Sequence, residues 1–139
     1  DPLWARGLGD VYKRQVRKGA LLAGFAADDI GVIEVDPVSQ DMRADALAEA
    51  MAADVAAGGV PTIVVASLGS TRVTAFDPLP EIIDIARRHR AWIHADAAMA
   101  GSAMLLPEYR HLFAGIEDAD SISWNPHKWM GAILDTSLL

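Results

Sequence analysis

The sequence predicts an α/β fold, a mainly parallel sheet flanked by helices, on three observations. From about residue 30 onward, short apolar runs alternate with amphipathic stretches in the order strand, helix, strand, helix, strand. The run TIVVASL (residues 62–68) is apolar on both faces, which is typical of a buried parallel strand. Polar clusters follow three of the predicted strands, and ligands of such sheets bind just beyond the carboxyl ends of the strands.

The first predicted strand covers residues 30–35 (IGVIEV), and the helix after it covers residues 42–57. Apolar side chains recur in that helix at i+4 spacing, which indicates one buried face: Leu47, Met51 and Val55. We expect Asp41 to cap the start of the helix and the pair Gly58-Gly59 to end it.

A polar turn over residues 69–74 separates the buried strand from a second helix over residues 77–89, which opens with an Asp-Pro pair. Two more strands are predicted over residues 91–95 (AWIHA) and 121–124 (SISW), and the apolar run over residues 133–139 is expected to be an incomplete strand. Because crossovers between parallel strands are right-handed, the helices are expected to cover the faces of the sheet.

The composition limits the class of protein. The chain has 139 residues, which is one domain at most, and 19 acidic against 12 basic residues give a formal net charge of −7. Such a charge attracts neither a nucleic-acid backbone nor an anionic membrane surface, so neither is an expected partner. The absence of Cys excludes disulfides and thiolate chemistry. Since no apolar signal segment opens the chain, we expect a cytoplasmic protein.

Lys128 is the first candidate for chemistry. Its amine stands among the bulky and constrained residues of the segment NPHKW (residues 125–129). A buried lysine is readily neutralised and can become a Schiff-base nucleophile, whereas most lysines are solvated surface groups. Residue type alone leaves both interpretations open.

Asp96 is the second candidate, because it follows a predicted strand and precedes Ala97 and Ala98. These small side chains are expected to leave open space beside the carboxylate. The carboxylate could face a protonated ring nitrogen, or it could be an ordinary turn-forming Asp.

Thr71 and Asn125 carry weaker signals. Thr71 ends a Gly-Ser-Thr turn whose hydroxyls and N–H groups could hold a ligand, and Asn125 could donate to a phosphate. Both patterns are also ordinary turn chemistry.

A metal hydrolase built on His94, Asp96 and His127 is an alternative of another class. The pair His94 and Asp96 resembles a metal-binding pair, yet no third ligand follows at a recurrent short spacing and no known zinc motif is present. A non-catalytic fragment or binding module is the remaining alternative.

Two motifs taken together carry a family resemblance. The segments HADAA (residues 94–98) and NPHKW, preceded by VVASLGSTR (residues 64–72), resemble the group II pyridoxal-phosphate-dependent amino-acid decarboxylases, most closely their aromatic-L-amino-acid decarboxylase branch. The resemblance implies part of the large domain of a fold-type-I enzyme whose parent is a homodimer. It also implies the cofactor pyridoxal 5'-phosphate and no metal.

The resemblance assigns a role to each matching residue. Lys128 would hold the cofactor as a Schiff base, and Asp96 would bond its pyridine nitrogen and keep it protonated. Four further residues would surround the cofactor: Thr71 near the ring, Asn125 at the phosphate, Ala98 against one ring face and His127 beside the lysine.

The activity implied is decarboxylation of an L-amino acid, most closely an aromatic one, to the amine and carbon dioxide. Since the substrate pocket is expected to lie largely outside the chain, glutamate, 2,4-diaminobutyrate or sulfinoalanine decarboxylation and aldehyde synthesis stay open as alternatives. Residues 1–15 are expected to be a non-native leader that resembles translated adapter sequence. Residues 16–139 are expected to be a partial large domain, truncated at both ends and inactive alone.

Overall fold

The computed structural model describes residues 3–6 and 10–139, with side chains described from Gln15 onward. This part contains five strands: β1 (Leu3–Arg6), β2 (Ile30–Ile33), β3 (Ile63–Ser67), β4 (Trp92–Asp96) and β5 (Ser121–Ser123). It also contains four α-helices: α1 (Asp10–Leu22), α2 (Ala44–Ala56), α3 (Leu79–Arg88) and α4 (Pro126–Trp129). Short 3-10 helices cover Ala27–Asp29, Gly101–Leu105, Pro107–Phe113 and Ile116–Asp118. None of the helices in this part is long and apolar enough to span a membrane.

The strands form one sheet in the order β2-β1-β3-β4-β5, and every neighbouring pair is parallel. This arrangement confirms the predicted α/β class. Four of the strands predicted from residue 30 onward are present, and β4 lies one residue further along than predicted, so that it ends on Asp96. The prediction of an incomplete strand over residues 133–139 is wrong, because this run makes only an isolated antiparallel bridge, between Leu138 and Trp124. The sequence does not predict β1 or α1, since residues 1–15 carry no clear apolar periodicity. That residues 1–15 are a leader stays a prediction.

Helix α2 ends as predicted but does not begin as predicted. Gly58 has a φ of 86°, the left-handed conformation that closes many helices. The prediction that Asp41 caps the helix is wrong, because Arg43 takes the N-cap position and makes no side-chain capping bond. Asp41 instead accepts a hydrogen bond from Ser39 Oγ.

One face of the sheet is buried and the other is more open. The fully buried side chains of the first face belong to β3 and β4: Val64, Ala66, Ile93 and Ala95. They share one apolar cluster with α2 and α3. Because side chains alternate along a strand, β4 turns Trp92, His94 and Asp96 to the opposite face, where none of them is fully buried. The candidate carboxylate therefore lies on the open face.

The Asp77 carboxylate joins three segments of the fold. Its side chain is only 3% exposed. Oδ1 accepts the N–H of Met42 at 2.7 Å, just before α2, and Oδ2 accepts the N–H of Ser67 at 2.6 Å, at the end of β3. The N–H of Asp77 returns a bond to the Ser67 carbonyl at 2.9 Å. Asp77 was predicted to open the second helix, but α3 begins at Leu79 and Asp77 bonds to these other segments instead.

Replacing Asp77 with Ala should lower the free energy of unfolding by about 3 kcal/mol, because two buried N–H groups lose their acceptor. Urea unfolding followed by tryptophan fluorescence measures the change. Asp84→Ala is the matched control, since Asp84 is exposed on α3, and it should change the stability by less than about 0.5 kcal/mol. Equal stability of the Asp77 variant and the unmodified chain would contradict this account.

Candidate active site

The predicted site residues lie at one edge of the sheet. Strands β3, β4 and β5 are consecutive parallel neighbours, so their carboxyl ends face the same way. Thr71 lies in the turn after β3, Asp96 is the last residue of β4, and Lys128 lies on α4, directly after β5. The topology therefore brings to one edge the three polar clusters that the sequence places far apart.

Asp96 is held through one of its two carboxylate oxygens. Oδ1 accepts the hydroxyl of Ser123 at 3.1 Å and the N–H of Ala98 at 3.1 Å. Within the described part of the chain, no donor is bonded to Oδ2. One oxygen is thus fixed by the protein while the other remains free to accept a bond from a ligand.

His94 lies two residues before Asp96 and belongs to a chain of hydrogen bonds. The indole N–H of Trp92 donates to Ser121 Oγ at 2.9 Å, and Ser121 Oγ lies 2.8 Å from His94 Nδ1. The Ser121 hydroxyl accepts from the indole and keeps a proton and a second lone pair for Nδ1, so either neutral tautomer of His94 can make this bond. Burial lowers the pKa of His94 from its ordinary value of 6.5, and the nearby Asp96 charge opposes that shift. The ring is therefore neutral near pH 7.

The turn after β3 is packed against the segment that follows Asp96. Gly69 has a φ of 82°, and a Cβ added there would lie 2.1 Å from the Cβ of Ala100. The N–H groups of Gly69 and Ser70 both donate to the Ala75 carbonyl at 3.0 Å. Only glycine fits this approach, and the closed turn leaves Thr71 exposed at its tip.

Helix α4 carries the lysine. Pro126 is buried at the first helical position, and Asn125 occupies the N-cap position without a side-chain capping bond. Lys128 is exposed, and its amine forms no hydrogen bond or ion pair among the described residues. The Nδ1 of the neighbouring His127 bonds to the Thr136 carbonyl at 2.8 Å.

Sequence reasoning missed the two serines of β5. The register pairs Ser121 with His94 and Ser123 with Asp96, and each serine bonds to the β4 residue opposite it. Their spacing of two residues in a predicted strand shows that they share a face. Only the pairing of β5 with β4 reveals which residues they contact.

Nothing in the described residues favours a metal site. No group of three His, Asp or Glu side chains within this part could hold an ion. His94 and His127, which the metal-hydrolase alternative requires together, bond to Ser121 and to Thr136.

The same residues do fit pyridoxal phosphate. The free oxygen of Asp96 can accept a bond from a protonated pyridine nitrogen, and an exposed amine without a partner among the described residues, that of Lys128, is the group that condenses with an aldehyde. Ala98, which would pack against the ring, is 8% exposed, and its N–H helps to hold Asp96.

Fold and site together define a fold-type-I pyridoxal-phosphate-dependent enzyme. Residues 9–139 match the pyridoxal-dependent decarboxylase conserved domain, and the chain belongs to this family of carboxy-lyases. The cofactor of the family is pyridoxal phosphate.

Individual relatives agree with this assignment. The chain is 44% identical to the aromatic-L-amino-acid decarboxylase of Drosophila melanogaster over 94% of this chain and 24% of the relative. It is 41% identical to the human cysteine sulfinic acid decarboxylase over 89% of this chain and 25% of the relative. The structure of Oryza sativa TDC with PLP and tryptamine superposes with a TM-score of 0.91 at 40% identity, covering 98% of this chain and 28% of that one. The chain thus spans about a quarter of the length of the curated relatives it matches.

Gly69→Ala should destabilise the chain more than Gly58→Ala. Both glycines have positive φ, but an added Cβ at Gly58 meets open space. Gly58→Ala should therefore cost only the backbone strain, about 1 kcal/mol, and Gly69→Ala about 2 kcal/mol more, because Ala100 must move. Urea unfolding of the two variants measures the difference. Equal losses would show that the turn does not need this close approach.

Stability should fall in acid partly through His94. Since the folded state lowers the pKa of His94 below 6.5, the unfolded chain binds the proton more readily, and stability is lost as the pH falls from about 6.5 through the folded-state pKa. His94→Asn should flatten this part of the stability profile, measured by urea unfolding between about pH 7.5 and 5. The same substitution at the exposed His111, His111→Asn, is the matched control for removing an imidazole. An unchanged slope in the His94 variant would contradict a contribution of His94 to the loss of stability in acid.

Proposed function

We propose that this chain is the cofactor-holding part of a decarboxylase that converts an aromatic L-amino acid to its amine and carbon dioxide. The observation that carries the proposal is the Asp96 carboxylate. Its Oδ1 is fixed by Ser123 and Ala98 and its Oδ2 is free, at the sheet edge that Lys128 shares. Membership of the decarboxylase family supports the reaction type.

In this proposal Lys128 binds the cofactor covalently through its amine. The amine is exposed and forms no bond to other described residues that would have to be broken first. Pro126 is buried and begins α4, which fixes the backbone from which the lysine side chain projects. The short helix therefore positions the lysine side chain.

Asp96 holds the proton on the pyridine nitrogen. A pyridine nitrogen with a pKa of about 5 to 6 in water needs a shift of roughly two units, about 2.7 kcal/mol, to stay protonated near pH 7. A charge-assisted hydrogen bond to a partly buried carboxylate supplies an energy of that size. When bound, the cofactor supplies an electron sink for the charge left by loss of carbon dioxide.

The remaining predicted residues complete the cofactor site. Thr71, exposed at the tip of the turn after β3, contacts the cofactor near its ring, and Asn125 at the start of α4 helps to hold its phosphate. Ala98 lies against one ring face, and His127 lies beside Lys128. These roles rest on the family resemblance and on the common edge of the sheet.

An aromatic substrate is the finer part of the proposal. The relative from Drosophila melanogaster is named for aromatic amino acids, and the Oryza sativa structure holds tryptamine. The human relative is named for cysteine sulfinic acid, so the family contains more than one specificity. We further propose that the whole enzyme is a cytoplasmic homodimer, of which this chain is the part that contains Lys128 and Asp96.

The lysine assignment is tested by borohydride reduction of the full-length protein loaded with pyridoxal phosphate, followed by peptide mapping. The reduced adduct should map to Lys128 and disappear in Lys128→Ala. Lys18→Ala is the matched control, because Lys18 is an exposed lysine on α1, and it should keep the adduct. An adduct on another lysine, or none in the unmodified protein, would overturn the cofactor site.

Asp96→Ala should reduce turnover far more than cofactor binding. Without that stabilisation, a ring nitrogen with a pKa of about 5 to 6 is protonated at pH 7 in roughly one molecule in ten to one in a hundred, so kcat should fall about ten- to a hundredfold. Product amine formed from aromatic L-amino acids measures kcat, and absorbance titration measures cofactor binding. Near-normal turnover by Asp96→Ala would refute the role of the carboxylate.

The substrate class is tested by assaying cysteine sulfinic acid and glutamate in parallel with aromatic L-amino acids. A preference of the enzyme for either would refute the aromatic assignment alone.

A further inference from the structure

The two serines of β5 form a matched pair with different contacts. Ser121 and Ser123 stand on one face of the strand, opposite His94 and Asp96 of β4. Ser121 Oγ bonds to the imidazole of His94 at 2.8 Å, while Ser123 Oγ bonds to Asp96 Oδ1 at 3.1 Å. One serine hydroxyl thus bonds to a neighbouring histidine, and the other bonds to the candidate catalytic carboxylate.

We propose that Ser123 is a positioning residue that fixes the Asp96 carboxylate so that its Oδ2 faces the pyridine nitrogen of the cofactor. The inference rests on the proposed function and deepens it. It assigns to Ser123 a role that neither the sequence motifs nor the family match provides.

The physical reason lies in the rotational freedom of a carboxylate. The terminal torsion of an Asp side chain is broad, so a single contact leaves the plane of the carboxylate poorly defined. Two donors on the same oxygen, from Ser123 and from the backbone of Ala98, approach from different elements and define that plane. The backbone donor cannot be removed by mutation, whereas the hydroxyl can.

Both donors leave the second oxygen free. Had Ser123 bonded to Oδ2, the carboxylate would have had no oxygen without a donor to offer the ring. A hydrogen bond between a cofactor and a fixed carboxylate avoids the cost of ordering that carboxylate at each binding event. Removing the hydroxyl should therefore weaken the bond to the ring nitrogen without removing any charge from the site.

The test uses the full-length protein loaded with pyridoxal phosphate that carries ¹⁵N in its ring. The ring-nitrogen NMR shift across pH reports protonation directly, and absorbance titration gives the dissociation constant. Ser123→Ala should shift the ring nitrogen toward its deprotonated signal at a pH where the unmodified protein keeps it protonated. It should also weaken cofactor binding by up to about tenfold, because the carboxylate must then be ordered when the cofactor binds, and it should lower kcat more than it changes KM.

Two comparisons separate positioning from a general structural effect. Ser121→Ala makes the same substitution on the same face and should leave the ring-nitrogen signal unchanged. Ser123→Thr and Ser123→Val differ only by a hydroxyl in place of a methyl group, and both suit a strand. Thr should retain the unmodified behaviour and Val should reproduce the effect of Ala, which keeps the comparison valid if Ser123→Ala does not fold.

The outcomes distinguish this inference from the proposed function. If the unmodified protein binds pyridoxal phosphate at Lys128 but the Ser123 variants keep its ring-nitrogen signal, only the positioning role is overturned. Equal shifts in Ser121→Ala and Ser123→Ala would overturn it as well, since they would indicate a general effect of β5. If the unmodified protein binds no pyridoxal phosphate, the proposed function fails and this inference fails with it.

Discussion

The buried Asp77 carboxylate is the interaction on which the site depends most. Asp77 closes the base of the turn over residues 67–77. Its carboxylate accepts the N–H of Ser67, and its backbone N–H donates to the Ser67 carbonyl. Nearer the tip of the same turn, the Ala75 carbonyl accepts hydrogen bonds from the N–H groups of Gly69 and Ser70. Thr71 therefore lies at the tip of a short turn that hydrogen bonds close both at its base and near its tip. The third bond, from Met42, ties this turn to the segment before α2.

A second constraint aligns β4 with β5. Asp120, directly before β5, accepts the N–H of Ile93 at 2.8 Å, and the Arg87 guanidinium of α3 binds the same carboxylate at 3.0 Å. These contacts set where β5 begins relative to β4. Because side chains in a strand alternate, a slip of one residue would turn Ser123 away from Asp96. The charged pair is partly exposed, 48% for Arg87 and 21% for Asp120, and contributes modestly to stability, so its structural consequence is the register itself.

Small residues after Asp96 serve packing as well as the site. A Cβ on Gly101 would lie 2.9 Å from the Trp124 ring and 3.2 Å from the Cβ of Ala97. The Trp124 indole N–H donates to Ser102 Oγ at 3.0 Å, so the residue just before Asn125 is anchored on the segment after β4. The segments that carry Asp96 and Lys128 are thus packed on each other through positions where a larger residue would not fit. The sequence predicts open space at the small residues after Asp96, whereas in the structure Ala97 is fully buried.

The sequence by itself determined the fold class, the order of the strands and main helices from β2 to β5 and the family resemblance, and it predicts the six residues assigned to the cofactor. These follow from local periodicity and from motifs contiguous in the chain, HADAA and NPHKW. The tertiary structure alone decided that Asp41 leaves α2 uncapped, that Asp77 bonds to β3 and to Met42, and that Ser123 holds Asp96. Each of these depends on which donors face a carboxylate across strands or between segments far apart in the chain. Composition and spacing do not encode that geometry, because the partners become neighbours only when the parallel strands pair.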